Sequence, residues 1–422
     1  MADGEPANIG PAFEAKPIRT TDSHPKPALS PQERRSVGAL AAIYAARMLG
    51  LFLLLPVLAL HARELPDYSP ELLGLAMGAY GLTQALLQIP FGRWSDRFGR
   101  KPVIAIGLGL FAAGSLIGAL AHTVAMLAVA RCVQGAGAVS AAVSALLADL
   151  TRPEVRTRAM AVIGASIGLS FVLALVLAPV LDGVIGVPGI FAVMLVMALG
   201  GIALLVFAVP AEPERTGGTE SRSLGGLLEL ARRPALMPLY AGVFALHFIM
   251  TATFLSVPQA LVTDLGIASV SHWKVYLGVF VASLAGTIPL ILATERTGRG
   301  PALFLAAILV VAAAQALLGL DHGHLWVVLG GLTLFFAGFN YLEARLPAQL
   351  TLAAPGGDRG AALGIFATAQ FLGAFLGGVL GGVLLGRFGL TGVFWGSAAI
   401  ALAWAAVAAA SGRAGAFAGQ RA

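Results

Sequence analysis

The amino-acid sequence predicts an all-α membrane protein whose twelve transmembrane helices form two pseudo-symmetric six-helix bundles. Three observations predict this fold. Of the 422 residues, 58% are hydrophobic and 11% are charged, which is too apolar for a soluble domain. The apolar residues fall into runs of about 20, the length that crosses a bilayer as a helix. A loop rich in charge also recurs about 199 residues later, which indicates a duplicated half.

The apolar runs define the predicted spans and the domain boundaries. The spans are 37–60, 71–92, 102–121, 123–150, 159–184, 188–209, 235–263, 273–294, 301–320, 325–350, 359–386 and 389–411. They divide the chain into a disordered tail (1–36), a first bundle (37–209), a linker (210–234), a second bundle (235–411) and a tail (412–422). Glycines at four-residue spacing, such as Gly373, Gly377 and Gly381, predict close packing of helix backbones.

The repeat is clearest in the loop that follows the second span. IPFGRWSDRFGRKP (Ile89 to Pro102) aligns with IPLILATERTGRGP (Ile288 to Pro301) at an offset of 199, and Asp96 is matched by Glu295. A second echo, ADLT against AQLT, has an offset of 200. Related halves of this kind are typical of transporters that are built from duplicated bundles.

The distribution of basic residues predicts the orientation. With the N-terminus inside, 21 of the 27 Lys and Arg residues fall in segments on the cytoplasmic side and 3 on the other side. This asymmetry predicts that both termini are cytoplasmic. The net charge of +6 is therefore a topology signal and not an indication of nucleic-acid binding.

The remaining segments give no sign of catalysis. The first 36 residues contain six prolines and mixed charge, which is typical of a disordered tail. Within the linker, LGGLLELAR has the pattern of a short amphipathic helix on the membrane surface. Cys132 is the single cysteine, so an internal disulfide is excluded. Because no catalytic motif or metal-binding cluster is present, we expect no enzyme activity, no metal site and no cofactor.

Two motifs resemble those of the major facilitator superfamily. GRWSDRFGRK (92–101) resembles its signature loop, and RCVQGAG (131–137) resembles its Arg-x-x-Gln-Gly element in the fourth span. ARMLGLFLLLPVLAL, YGLTQALLQIPFG, ALLADLTR and FNYLEARLPAQL resemble the YajR-like branch of the twelve-span drug:proton antiporters, here without that branch's small soluble C-terminal domain. The resemblance implies the major facilitator fold and proton-coupled export.

The resemblance also implies a conformational switch in the loop. In the superfamily the loop aspartate, here Asp96, faces the start of the eleventh span near Arg359, while Arg97 and Arg100 bridge to Asp149. Such contacts form in one conformation and break in the other. The switch residues are Gly92, Asp96, Arg97, Gly99, Arg100, Lys101 and Asp149. The alternative is a solvated basic hairpin that only sets topology.

Two ionisable groups within spans are candidates for proton coupling. Glu343 is the one carboxylate well inside a span, and His247 falls near the middle of the seventh. A charged group at that depth has to face a wet cavity or a partner. A structural ion pair for Glu343 and a neutral, packed His247 are the alternatives.

Other polar residues within spans are candidates for the wall of a central cavity. They are Arg47, Gln84, Gln88, Arg131, Gln134, Thr251, Asn340 and Arg345. Arg47 has a second interpretation, in which it snorkels or anchors the first span to backbone carbonyls. Arg131 has a structural role as its alternative, and Gln84 and Gln88 have interhelical hydrogen bonding as theirs.

These observations predict a proton-coupled secondary active transporter in the cell inner (cytoplasmic) membrane. We expect it to export a small, partly apolar solute by alternating access in exchange for protons, and to work as a monomer. Its expected partners are the solute, protons and the lipid bilayer. The fifth-span antiporter element of the family is altered here, at Ala174, Ala178 and Asp182, so uptake of a metabolite stays open. A sensor of the same fold is the alternative of another class.

Overall fold

A computed structural model describes residues 28–212 and 223–413, which form helices and no β-strand. The predicted tails at 1–27 and 414–422 and the linker residues 213–222 lie outside the described residues. The helices are α1 (Pro31–Leu53), α2 (Leu58–Ala62), α3 (Pro70–Phe98), α4 (Arg100–Ala119), α5 (Val124–Ala136), α6 (Ser140–Asp149), α7 (Pro153–Phe207), α8 (Leu224–Ala231), α9 (Met237–Thr263), α10 (His272–Thr297), α11 (Gly300–Leu320), α12 (Leu325–Ala353) and α13 (Arg359–Arg413).

The described residues contain ten helical segments that are long and apolar enough to cross a membrane. Two of them, Pro153–Phe207 and Gly356–Ser411, have 55 and 56 residues. A helix of that length measures about 80 Å, more than twice the hydrocarbon thickness. Each is divided by a glycine with positive φ, Gly186 (66°) or Gly389 (65°). Each therefore supplies two spans, and the predicted total of twelve is confirmed.

The duplication is visible in the backbone. Gly99 (φ 96°) follows the last residue of α3, and Gly298 (φ 64°) follows the last residue of α10; the two are the aligned glycines of the repeat. Only glycine adopts these angles without strain, so both copies turn sharply before the next helix. The described parts of the central linker, residues 210–212 and 223–234, lie at the end of the molecule where α3 and α10 finish. We call this end the linker end and the opposite end the far end.

The first helix begins at Pro31, before the predicted start of the first bundle at residue 37. Ser30 and Glu33 form a capping box, in which Ser30 Oγ accepts the N–H of Glu33 and the Glu33 carboxylate accepts the N–H of Ser30. Glu33 also accepts hydrogen bonds from the Arg152 guanidinium at 3.0 Å. The prediction from apolar length was wrong here because these polar residues extend the helix beyond its apolar part.

The predicted fourth span is a broken helix. α5 ends at Ala136 and α6 begins at Ser140, with Gly137 between them. A Cβ atom on Gly137 would lie 2.2 Å from the carbonyl oxygen of Gly107 on α4, so glycine is needed for this approach. The break also frees the carbonyl of Gly137 to accept a hydrogen bond from outside its own helix. Apolar periodicity does not reveal such a break.

A hydrogen-bonded loop stabilises the far end of the first half. The Asp67 carboxylate accepts the N–H groups of Ala125 (3.0 Å) and Val124 (2.6 Å) at the start of α5. These bonds, that to Ala125 foremost, hold the pKa of Asp67 below its usual range. The loop before α3 is thereby attached to the start of α5.

Glycines allow α13 to pack closely against α9 within the second half. Cβ atoms on Gly373 and Gly377 would lie 2.2 and 2.3 Å from the carbonyl oxygens of Phe244 and Phe248. A Cβ on Gly381 would make an ordinary 3.6 Å contact. The predicted close packing is present at the first two positions.

A second set of glycines joins the two halves at the far end. A Cβ on Gly378 of α13 would lie 2.6 Å from the carbonyl oxygen of Gly74 on α3, and one on Gly78 would lie 2.5 Å from that of Phe375. Arg63 Nη1 also donates to Gln259 Oε1 across the halves at 3.3 Å. We call the contact between α3 and α13 the glycine seam. It closes the far end.

Aromatic rings also fill part of the space between the halves. Phe171 of the first half lies 6.2 Å from Phe254, 6.2 Å from Phe336 and 6.4 Å from Phe339 of the second half, between ring centroids. At the linker end, by contrast, Gly164 and Gly364 have open space around them. The halves therefore meet at the far end and separate toward the linker end.

The glycine seam generates a stability prediction. Gly378→Ala adds a methyl group within 2.6 Å of backbone atoms of α3, which we expect to cost about 1–3 kcal/mol as overpacking. The measurement is the melting temperature of the purified protein in detergent.

Gly278→Ala on α10 is the matched control, because its new methyl group meets no atom within 4 Å. It should leave the melting temperature unchanged or raise it slightly, since alanine favours the helix. Equal melting temperatures for the two variants would contradict the close backbone packing described at the glycine seam.

Candidate functional site

A cavity of about 660 Å³ lies between the two halves. Its volume is in the range of sites that enclose a small organic molecule. Most of the lining is apolar, with side chains such as Met48, Phe52, Phe171, Met250 and Phe339. Of the predicted cavity residues, the lining includes Gln88, Arg131, Thr251 and Asn340, and both predicted proton-coupling residues, His247 and Glu343, also line it. It does not include Arg47, Gln84, Gln134 or Arg345 among its described residues.

Arg47 lies behind the wall of the cavity. Its side chain is 2% exposed, and its guanidinium donates to Tyr80 Oη (2.8 Å), Gln84 Oε1 (2.7 Å), Ser140 Oγ (3.3 Å) and the Gly137 carbonyl (3.0 Å). The interpretation of Arg47 as an anchor to backbone carbonyls describes this geometry, whereas direct contact with a solute does not. The carbonyl it reaches is the one freed by the break between α5 and α6.

Arg131 lies on the wall itself. It is 2% exposed, its Nη1 donates to Gln134 Oε1 at 3.0 Å, and Gln134 in turn donates to Ser115 Oγ at 2.9 Å. Its guanidinium carbon lies 4.8 Å from the centre of the Tyr80 ring, a cation–π distance. Gln134 thus orients Arg131 and does not itself line the cavity.

Glu343 and His247 come together on the second-half wall. His247 Nε2 lies 3.8 Å from Glu343 Oε2, and the Glu343 side chain is 41% exposed, toward the cavity it lines. His247 Nδ1 donates to the Val243 carbonyl at 3.1 Å, which leaves Nε2 to accept the amide N–H of Gln370 at 2.7 Å. The pair predicted from the sequence is adjacent, and Gln370 is a partner that the prediction missed. A lone glutamine in an apolar span was the available signal.

The remaining predicted residues of the second half make minor contacts. Asn340 Nδ2 donates to Ser283 Oγ at 3.4 Å, next to the cavity. Thr251 is buried on the lining of the cavity. Arg345 points away from the lining, and its Nε is buried with no hydrogen-bond partner in the described part of the chain.

The charged loop forms a network at the linker end. Arg100 pairs with Asp96 one turn before it and with Asp149 at the end of α6, where Nε and Oδ2 are 3.3 Å apart. The predicted pair between Arg97 and Asp149 is not formed between these described residues, because the Arg97 guanidinium lies over the Phe98 ring at 5.2 Å.

Neighbouring residues complete the loop. Lys101 Nζ donates to the carbonyl of Val209 at 2.9 Å, and the carboxylate of Glu212 accepts the backbone N–H of Lys101 at the start of α4. Glu212 was not predicted, since its partner lies more than one hundred residues away. Gly92 faces Ala141 of α6, whose Cβ would be 3.8 Å from an added methyl group.

Comparison with known proteins identifies relatives along most of the chain. The Major Facilitator Superfamily profile matches residues 40–344. Inner membrane transport protein YajR of Escherichia coli (strain K12) is 39% identical over 381 residues, which are 90% of this chain and 84% of that protein. Multidrug resistance protein 1 of Bacillus subtilis (strain 168) is 36% identical over 90 residues, 21% of this chain and 23% of that protein.

A solved structure supports the fold. A bacterial homolog of the human lysosomal transporter Spinster, in an inward-facing and occupied conformation, superposes with a TM-score of 0.74 over 91% of this chain and 97% of that chain, at 16% identity.

The hydrogen bonds of Arg47 generate a prediction. Gln84→Leu removes an acceptor 2.7 Å from a buried guanidinium, and we expect it to destabilise the protein by about 1.5–3 kcal/mol. Gln88→Leu is the control one turn along α3, because Gln88 accepts from the neutral amide of Gln84 at 3.0 Å. Its cost should be nearer 1 kcal/mol. Melting temperatures in detergent test the order, and a larger loss for Gln88→Leu would contradict it.

Proposed function

The chain belongs to the major facilitator superfamily, and on that premise we propose that it is a proton-coupled secondary active transporter of a small, partly apolar solute. It is a multi-pass membrane transporter and not an enzyme. Alternating access, in which the two halves open the cavity to one side at a time, is the proposed mechanism.

The position of Glu343 carries the proposal of proton coupling. It is the one carboxylate among the described residues that line the cavity, and the walls around it are mostly apolar. A carboxylate that faces the space between the halves can take up a proton from either side as the cavity opens, which is what proton coupling requires. His247, 3.8 Å away, is the neighbouring group able to share the proton.

The asymmetry of the two ends supports alternating access. The glycine seam and the rings around Phe171 close the far end, while the halves separate at the linker end. We assign the linker end to the cytoplasm, since 21 of the 27 basic residues fall in segments on that side. In this assignment both termini are cytoplasmic and the structure is inward-open. The membrane is proposed to be the inner membrane, by similarity to YajR.

The loop network around Arg100 is the proposed switch. Arg100 joins α3, α4 and α6 of the first half while the linker end is open. We propose that closure of this end brings Asp96 to the positive N-terminal end of the helix beginning at Arg359, where an anion is favoured. Asp96 would then divide its interactions between Arg100 and the other half.

Direction is a separate part of the proposal. Local similarity to multidrug resistance proteins favours export in exchange for protons. The second candidate is uptake together with protons, and the observation that favours it is the charge of the first-half wall. Arg131 lies on that wall and Arg47 is buried behind it, against Glu343, the single acid among the described lining residues, on the other side.

The transport proposal is tested in reconstituted vesicles that enclose a pH-sensitive dye. A panel of small amphipathic solutes is added under an imposed pH gradient, and movement of protons with the solute is recorded. We expect Glu343→Gln to abolish coupled proton movement while exchange of labelled for unlabelled solute continues.

Glu154→Gln serves as the control, because Glu154 is an exposed carboxylate in the first turn of α7 outside the cavity. It should behave as the wild type. Proton movement that persists in Glu343→Gln would remove Glu343 from the mechanism. Acidification of the vesicle interior as solute enters indicates uptake with protons, and alkalinisation indicates exchange.

A further inference from the structure

Two guanidinium groups flank the ring of Tyr80, and neither pairs with a carboxylate of the residues that the structure describes. The guanidinium carbons of Arg131 and Arg47 lie 4.8 and 6.0 Å from the centre of that ring. Their hydrogen-bond partners in the described part of the chain are hydroxyls, amide oxygens and a backbone carbonyl, all neutral. Because these partners are neutral, this side of the cavity has an uncompensated positive charge. Burying such a charge costs free energy unless a negative group comes to it.

Of the two groups, Arg131 is the one that meets the cavity. It lines the cavity while Arg47 does not. The Nε atoms of both guanidinium groups are buried with no acceptor among the described residues. One nitrogen of Arg131 is held by Gln134, so the planar group is fixed in orientation with donor capacity unused. A fixed guanidinium fork suits a carboxylate, a sulfonate or a phosphate, which accept two parallel hydrogen bonds.

The rest of the lining suits the apolar body of such a molecule. The titratable and charged groups that line the cavity are Tyr44, Tyr80 and Arg131 on the first half and His247 and Glu343 on the second. Between them lie apolar side chains that include Met48, Phe171 and Phe339. The arrangement places one positive group at one wall, one acid at the other and an apolar surface between.

From this charge distribution we propose that the solute is an organic anion whose negative group binds the guanidinium of Arg131. The proposal rests on the transport function proposed above and names the chemical class of its substrate. A positively charged solute would instead meet an uncompensated cation on the first-half wall. The apolar part of the anion lies against the rings around Phe171.

The charge of the solute also determines the sign of proton coupling. Ionised Glu343 repels an anion in the cavity, and protonated Glu343 does not, so the proton and the anion each strengthen the binding of the other. Together, a proton and a monoanion add no net charge, and the loaded and empty cavities carry the same charge. An anionic solute therefore selects uptake with protons, the second candidate above, over exchange.

The test measures binding by the purified full-length protein. The probes are three molecules of one shape, 4-phenylbutyrate, 4-phenylbutyramide and 4-phenylbutylamine, together with longer and shorter members of each series. A ligand that binds the folded state raises the melting temperature, and the concentration dependence gives its Kd. We expect the carboxylates to bind and the amines not to bind.

Variants locate the binding group. Arg131→Gln should weaken carboxylate binding roughly ten- to hundredfold, as for loss of a hydrogen bond to a charged group. Arg131→Lys keeps the charge without the planar fork and should bind with intermediate affinity, which keeps the test valid if the glutamine variant folds poorly. Lys274→Gln removes a positive charge at the far end, outside the cavity, and should bind as the wild type does. In Glu343→Gln the dependence of carboxylate binding on pH should be smaller than in the wild type, with His247 as the remaining titratable side chain on that wall.

Each outcome decides one of the two proposals. Binding of the amines in preference to the carboxylates, no binding of any carboxylate up to about 10 mM, a weak-binding range, or carboxylate binding unchanged in Arg131→Gln would overturn the anion inference. Proton-coupled flux of an amine would support the transport proposal and overturn the anion inference. Carboxylate binding through Arg131 with no proton-coupled flux in vesicles would support the inference and refute the transport proposal.

Discussion

The hydrogen bonds of Arg47 determine how the first half is built. A guanidinium deep in a membrane protein has to find its acceptors within the protein, because hydrocarbon offers none. Arg47 of α1 finds them on α3, at Tyr80 and Gln84, and at the break of the fourth span, at Gly137 and Ser140. Three spans are thereby joined at one point. The same contacts hold the Tyr80 ring that lies against Arg131, so the charge on the cavity wall depends on a group behind it.

Helix α13 packs in a way that would let the halves move, as proposed above, without loss of the packing within the second half. Gly373 and Gly377 face α9 within the second half, whereas Gly378 faces α3 of the first half. Both contacts bring backbones together with little side-chain interdigitation, which suits surfaces that meet and separate. A motion that opens the far end has to break the contact with α3 and keep the one with α9. One helix thus has a permanent face and a reversible face, set one residue apart in the sequence.

Hydrophobic length predicts the spans because the bilayer imposes it, and it therefore gave all twelve, including the two breaks at Gly186 and Gly389. The charged residues inside spans could also be identified from the sequence, because burying a charge in the membrane costs free energy and such residues are therefore rare. The sequence did not show which of these residues reach the cavity, because that depends on how each helix is rotated about its axis. Arg47 and Arg131 look alike in sequence, yet one is enclosed by four partners and the other meets the cavity. Gln370 and Glu212 were missed because their partners are distant in sequence.

The placement of charge on opposite walls has a mechanistic consequence of its own. Across the cavity, the two halves interact through the charges of Arg131 and Glu343 and through the water or solute between them. When Glu343 is ionised and no solute is bound, attraction across the cavity favours approach of the walls, since opposite charges attract more strongly as water leaves the space between them. Protonation removes that attraction, and closure of the protonated cavity then requires a negative group from the solute. A protonated cavity without solute would stay open, so protons would not pass alone. In the proposed mechanism, tight coupling therefore follows from the same charge asymmetry that favours an anionic solute.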